Sequence, residues 1–267
     1  MKKLSIVGVG TKRFSQITLA ALAQIQASQA ICYIETEEAT IKKYVPGEHH
    51  LVNLDPFYQS NQTDIENYKQ MMKAIIKTLQ SYEQVCFIVA GHPRLGVFLT
   101  RALEAWGNKN QVQVEVFEGI SSFDVMANVL KLDILENGTS LIDINRALLY
   151  NQTINTQCDH FFYHVCSVAN PIADFRGFFG GNRLDLLKEY LLKYYPKNHP
   201  IALVKAANSI DEASMILNYT VEQVDQLNKE INFSTTLYIP ALKNHSIDLS
   251  ILKIIQQQAG SHENLSL

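Results

Sequence analysis

The residues best suited to chemistry sit on loops that follow short apolar runs. Val85-Cys86-Phe87-Ile88-Val89-Ala90 reads as a strand buried on both faces, at the middle of a parallel sheet. It breaks at Gly91-His92-Pro93, with Gly96-Val97-Phe98 close behind. Pro93 removes a backbone donor, and Gly91 lets the main chain approach whatever lies beyond the strand. In an open α/β sheet, ligands bind in the crevice outside the carboxyl ends of the strands. A small-molecule site is therefore expected at this loop. One histidine, His92, makes no case for a metal, because a hydrogen bond to a neighbouring backbone group satisfies it equally well. His49-His50 has no partner at ligand spacing and reads as surface. No metal site is expected.

The elements that must carry such loops repeat strand, loop and helix through the first half. Residues 4–9 form a strand ending in Gly8-Val9-Gly10, and a helix covers 15–27. The glycine pair invites a nucleotide reading, but Arg13 stands where the third glycine of G-x-G-x-x-G belongs. Glu35, ending the strand over 30–35, does not complete a clean dinucleotide pattern either. Thr63-Asp64-Ile65-Glu66 is a capping box. It opens a helix on which Ile65, Tyr68, Met72, Ile75, Ile76 and Leu79 make one buried stripe. A helix over 96–106, a strand over 111–117 with one polar face, Gly119-Ile120-Ser121-Ser122 and a helix to about 132 follow. Asn137-Gly138 marks the boundary between an N-terminal α/β domain, 1–137, and a C-terminal α/β domain, 138–267. In the latter, strands are expected at 161–165, 201–204, 214–217 and 235–239, and a helix over 182–194. A second capping box, Thr220-Val221-Glu222-Gln223, opens a short helix, and the polar tail after Ile255 is expected to fray. The fold class is α/β: two α/β domains, a mostly parallel sheet in the first, a mixed sheet in the second and a cofactor cleft between them.

The 267 residues carry a net charge of only -3 with no Lys/Arg cluster, so the electrostatic footprint of a nucleic-acid binder is missing. No apolar run reaches the length of a membrane span, and the N-terminus enters a strand rather than a signal peptide. Cys32, Cys86, Cys158 and Cys166 are scattered without a C-x-x-C pair, and three of them, in or beside apolar runs, read as small core residues in a reducing compartment. A cytoplasmic protein with no nucleic-acid or membrane partner is expected.

Gly8-Val9-Gly10, Gly91-His92-Pro93 and Gly119-Ile120-Ser121-Ser122, in this order, resemble the tetrapyrrole methylase superfamily of S-adenosylmethionine (SAM) dependent methyltransferases. The resemblance covers nearly the whole chain, with Lys205-Ala206-Ala207 and Thr235-Thr236-Leu237 matching the second half of that family. It implies two α/β domains, SAM folded into the cleft between them, and a homodimer. SAM contacts are implied at Gly91, His92, Val97 and Phe98, at Ser121 and Ser122, and at Tyr163, Ala206, Thr235 and Thr236. Within the superfamily, Leu54-Asp55-Pro56-Phe57-Tyr58 followed by Tyr68-Lys69-Gln70-Met71 resembles the borosin α-N-methyltransferases, which methylate backbone amides of a peptide. The two tyrosines that line their methyl-transfer site fall on Tyr58 and Tyr68. Two departures stand out. An arginine shortly before the second tyrosine is replaced by Asp64-Ile65-Glu66-Asn67, and Arg94-Leu95 is inserted after Gly-His-Pro.

Methyl transfer from a sulfonium needs positioning rather than a metal. Backbone groups at Gly91, Ser121 and Ser122 would hold the amino-acid and ribose parts of SAM, and Ala206 and Thr235-Thr236 would line the adenine. A peptide nitrogen is a very weak acid. A tyrosine, with pKa near ~10, takes its proton only as a phenolate or through a relay. A nearby cation stabilises both that phenolate and the developing imidate oxygen, so without the arginine Lys69 or His92 is the expected substitute. Pattern alone equally fits a core role for Tyr68 and a loop role for Tyr58. Arg176, Arg183 and Phe178-Phe179-Gly180-Gly181 read either as a peptide- or dimer-binding edge or as a solvated loop, and Asp174-Phe175-Arg176-Gly177 carries no metal or phosphate signature. Three activities are thus expected, in order: backbone N-methylation of a separate precursor peptide in trans, since the short polar tail carries no peptide substrate; carbon methylation of a tetrapyrrole; and SAM binding without catalysis.

Overall fold

The apolar run at 85–89 does lie at the centre of a parallel sheet. The computed structural model describes residues 2–59, 62–172, 181–243 and 246–259. Its first half runs β1 (Lys3–Gly8), α1 (Leu19–Gln26), β2 (Ala30–Tyr33), α2 (Glu38–Tyr44), β3 (His50–Asn53), α3 (Asp64–Ser81), β4 (Gln84–Val89), α4 (Phe98–Asn110), β5 (Gln113–Phe117) and α5 (Ser122–Leu130). The five strands pair in parallel in the order β3-β2-β4-β1-β5, with Gly8 opposite Val89 at the carboxyl ends. Leu4, Ile6 and Phe87 face α3 and α4, whereas Val7, Cys86 and Ile88 pack with Ile25 and Ile41 of α1 and α2.

The capping box at Thr63 and Glu66 does start α3, the Thr63 amide donating to Glu66 Oε2 at 2.9 Å. The buried stripe is rotated from the expected one, however: it runs through Asn67, Met71, Ile75, Thr78 and Leu79, and Ile65 is 44 % exposed. Asn67 explains the rotation. Its side chain accepts from the Gln59 amide and donates to the Gln59 carbonyl, both at 3.0 Å. An amide whose oxygen and nitrogen are both hydrogen-bonded costs little to bury, and this one ties α3 to the loop that carries Tyr58.

The second half runs β6 (Thr139–Asp143), α6 (Ile144–Leu149), β7 (Asp159–Tyr163), α7 (Leu184–Leu192), β8 (Pro200–Lys205), β9 (Met215–Thr220), β10 (Thr235–Ile239) and α8 (Leu249–Ala259). Its sheet has the order β6-β7-β10-β8-β9, mixed because β6 and β7 are parallel and the remaining pairs antiparallel. The change of sheet falls between α5 and β6, in the segment that holds Asn137-Gly138. The helix begun at Thr220 is a 3₁₀ helix, Val221–Lys229. Helix α8 continues past Ile255, where fraying was expected, and residues 260–267 lie outside the described ones. So does the stretch 173–180 with Arg176, while Arg183 is exposed and paired with Asp185 at 2.6 Å.

All four cysteines are free, and burial pushes the Cys32 thiol up to about 12, the pattern of an inert core residue. No described helix is long and apolar enough to cross a membrane.

Candidate active site

Strands β1, β4 and β5 end side by side, and each ends near a glycine. A Cβ built on Gly119 would lie 2.4 Å from the Gly91 carbonyl oxygen and 2.7 Å from the Gly8 carbonyl carbon. The three loops therefore touch backbone to backbone and form a floor that side chains would prise apart. Gly10 and Gly91 add an isolated bridge. Beyond the floor the chain turns tightly, the Leu95 amide donating to the His92 carbonyl at 3.0 Å. His92 Nδ1 accepts from the Arg94 amide at 3.1 Å, the local backbone role open to it from sequence. Arg94 itself reaches away to Glu104 at 2.7 Å, so of the two inserted residues only Leu95 lines the cavity above the floor.

That cavity, about 260 Å³, lies between the Gly-His-Pro loop and the second sheet. From the first half it gathers Tyr58, Tyr68, Gly91, His92, Val97, Phe98 and Ser122; from the second, Tyr163, Ala206, Thr235 and Thr236. Of the expected positions only Ser121 is absent from the wall. It is the N-cap of α5, its hydroxyl donating to Asp124 Oδ2 at 2.6 Å. Tyr163 and Ser122 approach to 3.5 Å across the two halves, and burial raises the Tyr163 phenol to about 12.

The two tyrosines stand against each other beside two carboxylates. Their rings stand edge to face at 6.4 Å, and Tyr68 stacks on Phe98 at 5.4 Å. Tyr58 donates its hydroxyl to Asp64 Oδ1 at 2.7 Å, at the first turn of α3. Burial, followed by the charges of Asp64 and Glu35, pushes the Tyr68 phenol far above its ordinary range. Burial and these charges disfavour a phenolate at Tyr68 and favour the protonated phenol, which can donate a hydrogen bond.

The expected substitutes for the missing arginine also change. Lys69 is exposed and off the cavity wall, and His92 is engaged by its own loop. The cation on the wall is Arg13, whose guanidinium stands 3.9 Å from Glu35. Burial raises the Glu35 carboxyl, the Arg13 charge working against that shift. Both residues were visible in the sequence, but only as departures from a nucleotide motif. His164 and Asp143 were not singled out at all. His164 lines the cavity, and its Nδ1 lies 3.0 Å from Asp143 Oδ2. Burial acts to raise the Asp143 carboxyl, yet the hydrogen bond and charge of His164 hold it below its usual range. Among the seven described non-glycine residues with positive φ, three line this cavity: Arg13 (57°), Glu35 (52°) and His164 (62°). Left-handed backbone of that kind collects at functional sites. No group of three or more His, Cys, Asp or Glu side chains among the described residues is placed to hold a metal.

The profile of the Tetrapyrrole (Corrin/Porphyrin) Methylases matches residues 3–222 of the chain. The chain belongs to this family. As a tetrapyrrole methylase it carries the methyltransferase fold that its three glycine loops suggested. It is 24 % identical over 258 residues to the methyltransferase/ribosomally synthesized cyclic peptide omphalotin A precursor of Omphalotus olearius, covering 95 % of this chain and 61 % of that protein. It is 26 % identical over 253 residues to a methyltransferase/ribosomally synthesized type I borosin cyclic peptide precursor of Mycena rosella, with 92 % and 62 % covered. This tetrapyrrole methylase thus spans about three fifths of the length of these curated relatives. Among solved structures, a cobalt precorrin-4 methyltransferase of cobalamin biosynthesis superposes with a TM-score of 0.62 at 13 % identity, over 89 % of this chain and 94 % of the other. The uroporphyrin-III C-methyl transferase of Thermus thermophilus complexed with S-adenyl homocysteine gives 0.60 at 15 %, over 93 % and 99 %. At such identities the likeness is one of fold.

Proposed function

We propose that this chain is a SAM-dependent methyltransferase acting on backbone amide nitrogens of a peptide that reaches the cleft as a separate molecule. The observation that carries the reading is the Tyr58–Tyr68 pair, standing on one cavity wall with the Gly-His-Pro loop and the second-sheet residues. The walls fit SAM. Aromatic faces of Tyr68, Phe98 and Tyr163 and the Glu35 carboxylate suit a sulfonium, which is a bulky cation. The open left-handed backbone at Gly91, where a Cβ would meet only Thr11 Cγ2 at 3.9 Å, suits close approach of a ligand. Gly91, His92 and Ser122 would hold its amino-acid and ribose parts, and Ala206, Thr235 and Thr236 its adenine. Ser121 contributes through the cap that fixes α5. When bound, SAM supplies an electrophilic methyl carbon whose bond to sulfur breaks as the bond to nitrogen forms.

The chain's own residues prepare the nucleophile. As the amide loses its proton, negative charge collects on its oxygen. Tyr68, which keeps its own proton, is the donor for that oxygen, and Arg13 supplies the positive charge on the same wall. Asp64 holds the Tyr58 hydroxyl in one orientation, fixing the edge against which Tyr68 packs. Arg13→Gln is expected to lower turnover about tenfold at unchanged SAM affinity, the scale of one charged hydrogen bond. Lys69→Ala is expected to leave turnover at the wild-type value. A reversed result in steady-state kinetics would return the cationic role to α3. Assembly as a homodimer belongs to the same reading and is checked by light scattering.

The test is to incubate purified protein with methyl-labelled SAM and a peptide-plus-small-molecule extract, then fractionate the label. Label on free peptides, lost in Tyr58→Phe and Tyr68→Phe, supports the reading. Label retained on the protein itself would mean that the substrate segment is carried in cis. Label in a pigment fraction would move the chain to tetrapyrrole carbon methylation. SAM binding without any label would make it a non-catalytic binder, the outcome that the missing arginine before Tyr68 makes worth testing.

A further inference from the structure

A peptide nitrogen must give up a proton, and the tyrosines are poorly placed to receive it. Burial and the charges of Asp64 and Glu35 disfavour a phenolate at Tyr68, and Tyr58 donates its hydroxyl to Asp64. The second half of the chain offers a base on the same cavity. His164 follows β7 and lines both the cavity and an adjoining groove that also carries Asp64, Tyr68 and Asp143. Its Nδ1 is 3.0 Å from Asp143 Oδ2, while Oδ1 of the same carboxylate accepts the Arg146 amide at the start of α6, at 3.1 Å. The carboxylate is therefore held from behind by a helix end. An ionised carboxylate only accepts, so in the neutral ring Nδ1 carries the proton and Nε2 presents a bare lone pair. Nε2 has no hydrogen-bond partner among the described residues, and it faces Gly96, where a Cβ would lie 3.8 Å from it with no other atom inside 4 Å.

A purely structural pair would not need this arrangement. Asp143 caps α6 without the histidine, and an ion pair whose partners are each 32 % exposed contributes little stability. The φ of 62° at His164 is also sparsely populated backbone, of the kind that collects at functional sites.

We propose that Asp143 and His164 form the proton-accepting pair of the methyl-transfer step, His164 as the base and Asp143 as its positioning residue. The proposal rests on the reading of the cleft as a site of nitrogen methylation. As nitrogen bonds to the methyl carbon, the N–H bond breaks and its electron pair remains on nitrogen. The proton passes to Nε2, the carbon–sulfur pair leaves on sulfur, and the resulting imidazolium is balanced by Asp143.

His164→Asn suits the test, because asparagine tolerates left-handed backbone but ends short of Nε2. Asp143→Asn keeps the α6 cap and removes the charge. With the peptide fraction that wild-type protein labels, His164→Asn is expected to lose about 10²-fold in kcat, with SAM affinity by calorimetry and the melting temperature near wild type. Asp143→Asn is expected to lose less, again in kcat rather than KM. His164→Gly, which opens a hole on the same backbone, is expected to regain part of its rate on adding imidazole, a rescue that a structural role would not allow. Independently of turnover, nitrogen NMR of the ring is expected to show the Nδ1–H tautomer. An Nε2–H tautomer, or peptide labelling by His164→Asn at the wild-type rate while Tyr68→Phe is impaired, overturns the pair and leaves the peptide reading standing. Wild-type protein that labels no peptide overturns the reading, and the proton acceptor with it.

Discussion

Tyr68→Phe is expected to cost on the order of 10²–10³-fold in kcat, the penalty for removing one preorganised donor to a developing oxyanion. The substitution is conservative where packing is concerned. A phenylalanine ring keeps the stack on Phe98 at 5.4 Å and the edge contact with Tyr58 at 6.4 Å. It also relieves the burial of a hydroxyl, so the melting temperature should stay close to wild type. The variant thus separates chemistry from architecture, which a change to alanine would not. The expected loss falls on kcat because the donor acts on charge present mainly in the transition state. The rate of Tyr68→Phe on the peptide fraction, measured beside SAM affinity, decides the matter. A loss confined to KM would make Tyr68 a substrate-packing residue, and an unchanged rate would make it a core tyrosine of the kind its place on α3 also suggested.

The anionic surroundings of Tyr68 give the same residue a different task from the one weighed in the sequence. Read from sequence, it is a base awaiting a cation. Read from structure, it is a phenol whose protonated form is favoured by burial and by the charges of Asp64 and Glu35. Charge has moved around the cavity: a carboxylate occupies the first turn of α3, and the guanidinium comes from the loop after β1. Motif reading finds residues that match a pattern. It passes over Arg13 and Glu35, which register only as faults in a glycine motif, and it passes over His164, which follows the apolar strand β7 and meets Asp143 across 21 positions of sequence.

Legibility followed the strength of local signals. The central strand, the capping boxes at Thr63 and Thr220 and the three glycine loops were readable because each is set within a few residues. The phase of α3 was not, since Asn67 takes a buried position only through the loop at Gln59. Strands β3 and β6 and helices α2, α6 and α8 were not singled out either. The first pair are edge strands with half-exposed patterns, α2 and α6 are short, and α8 opens at Asp248, whose Oδ1 accepts the Ser250 and Ile251 amides, a cap that the expectation of a frayed tail passed over. Ser121 was readable as a loop residue but not as a cap. The same Ser-x-x-Asp pattern serves both readings until Asp124 is seen to accept its hydroxyl.

Gly119→Ala should do more damage than any change on the cavity wall. The added methyl would lie 2.4 Å from the Gly91 oxygen and within 2.8 Å of the Gly8 carbonyl, and both obstacles are backbone at the ends of neighbouring strands. Side chains can swing aside; strand ends locked in register cannot, because Gly8 is paired opposite Val89 and β1 is held on its other side by β5. Overpacking typically costs about 1–3 kcal/mol, and backbone obstacles put this site at the upper end; the movement that relieves it displaces Gly91 in the cleft floor. A lower denaturation midpoint together with lost SAM binding is therefore expected, whereas Gly96→Ala meets only His164 Nε2 at 3.8 Å and should suffer chiefly from its φ of 74°. The comparison also assigns a purpose to the Gly-x-Gly at the end of β1. Gly8 is needed where three loops crowd together rather than to cradle a phosphate, which accounts for a glycine pair whose third partner is an arginine. If Gly119→Ala melts and binds SAM as the wild type does, the floor is more compliant than its backbone contacts imply, and the cleft must take its shape from the second sheet instead.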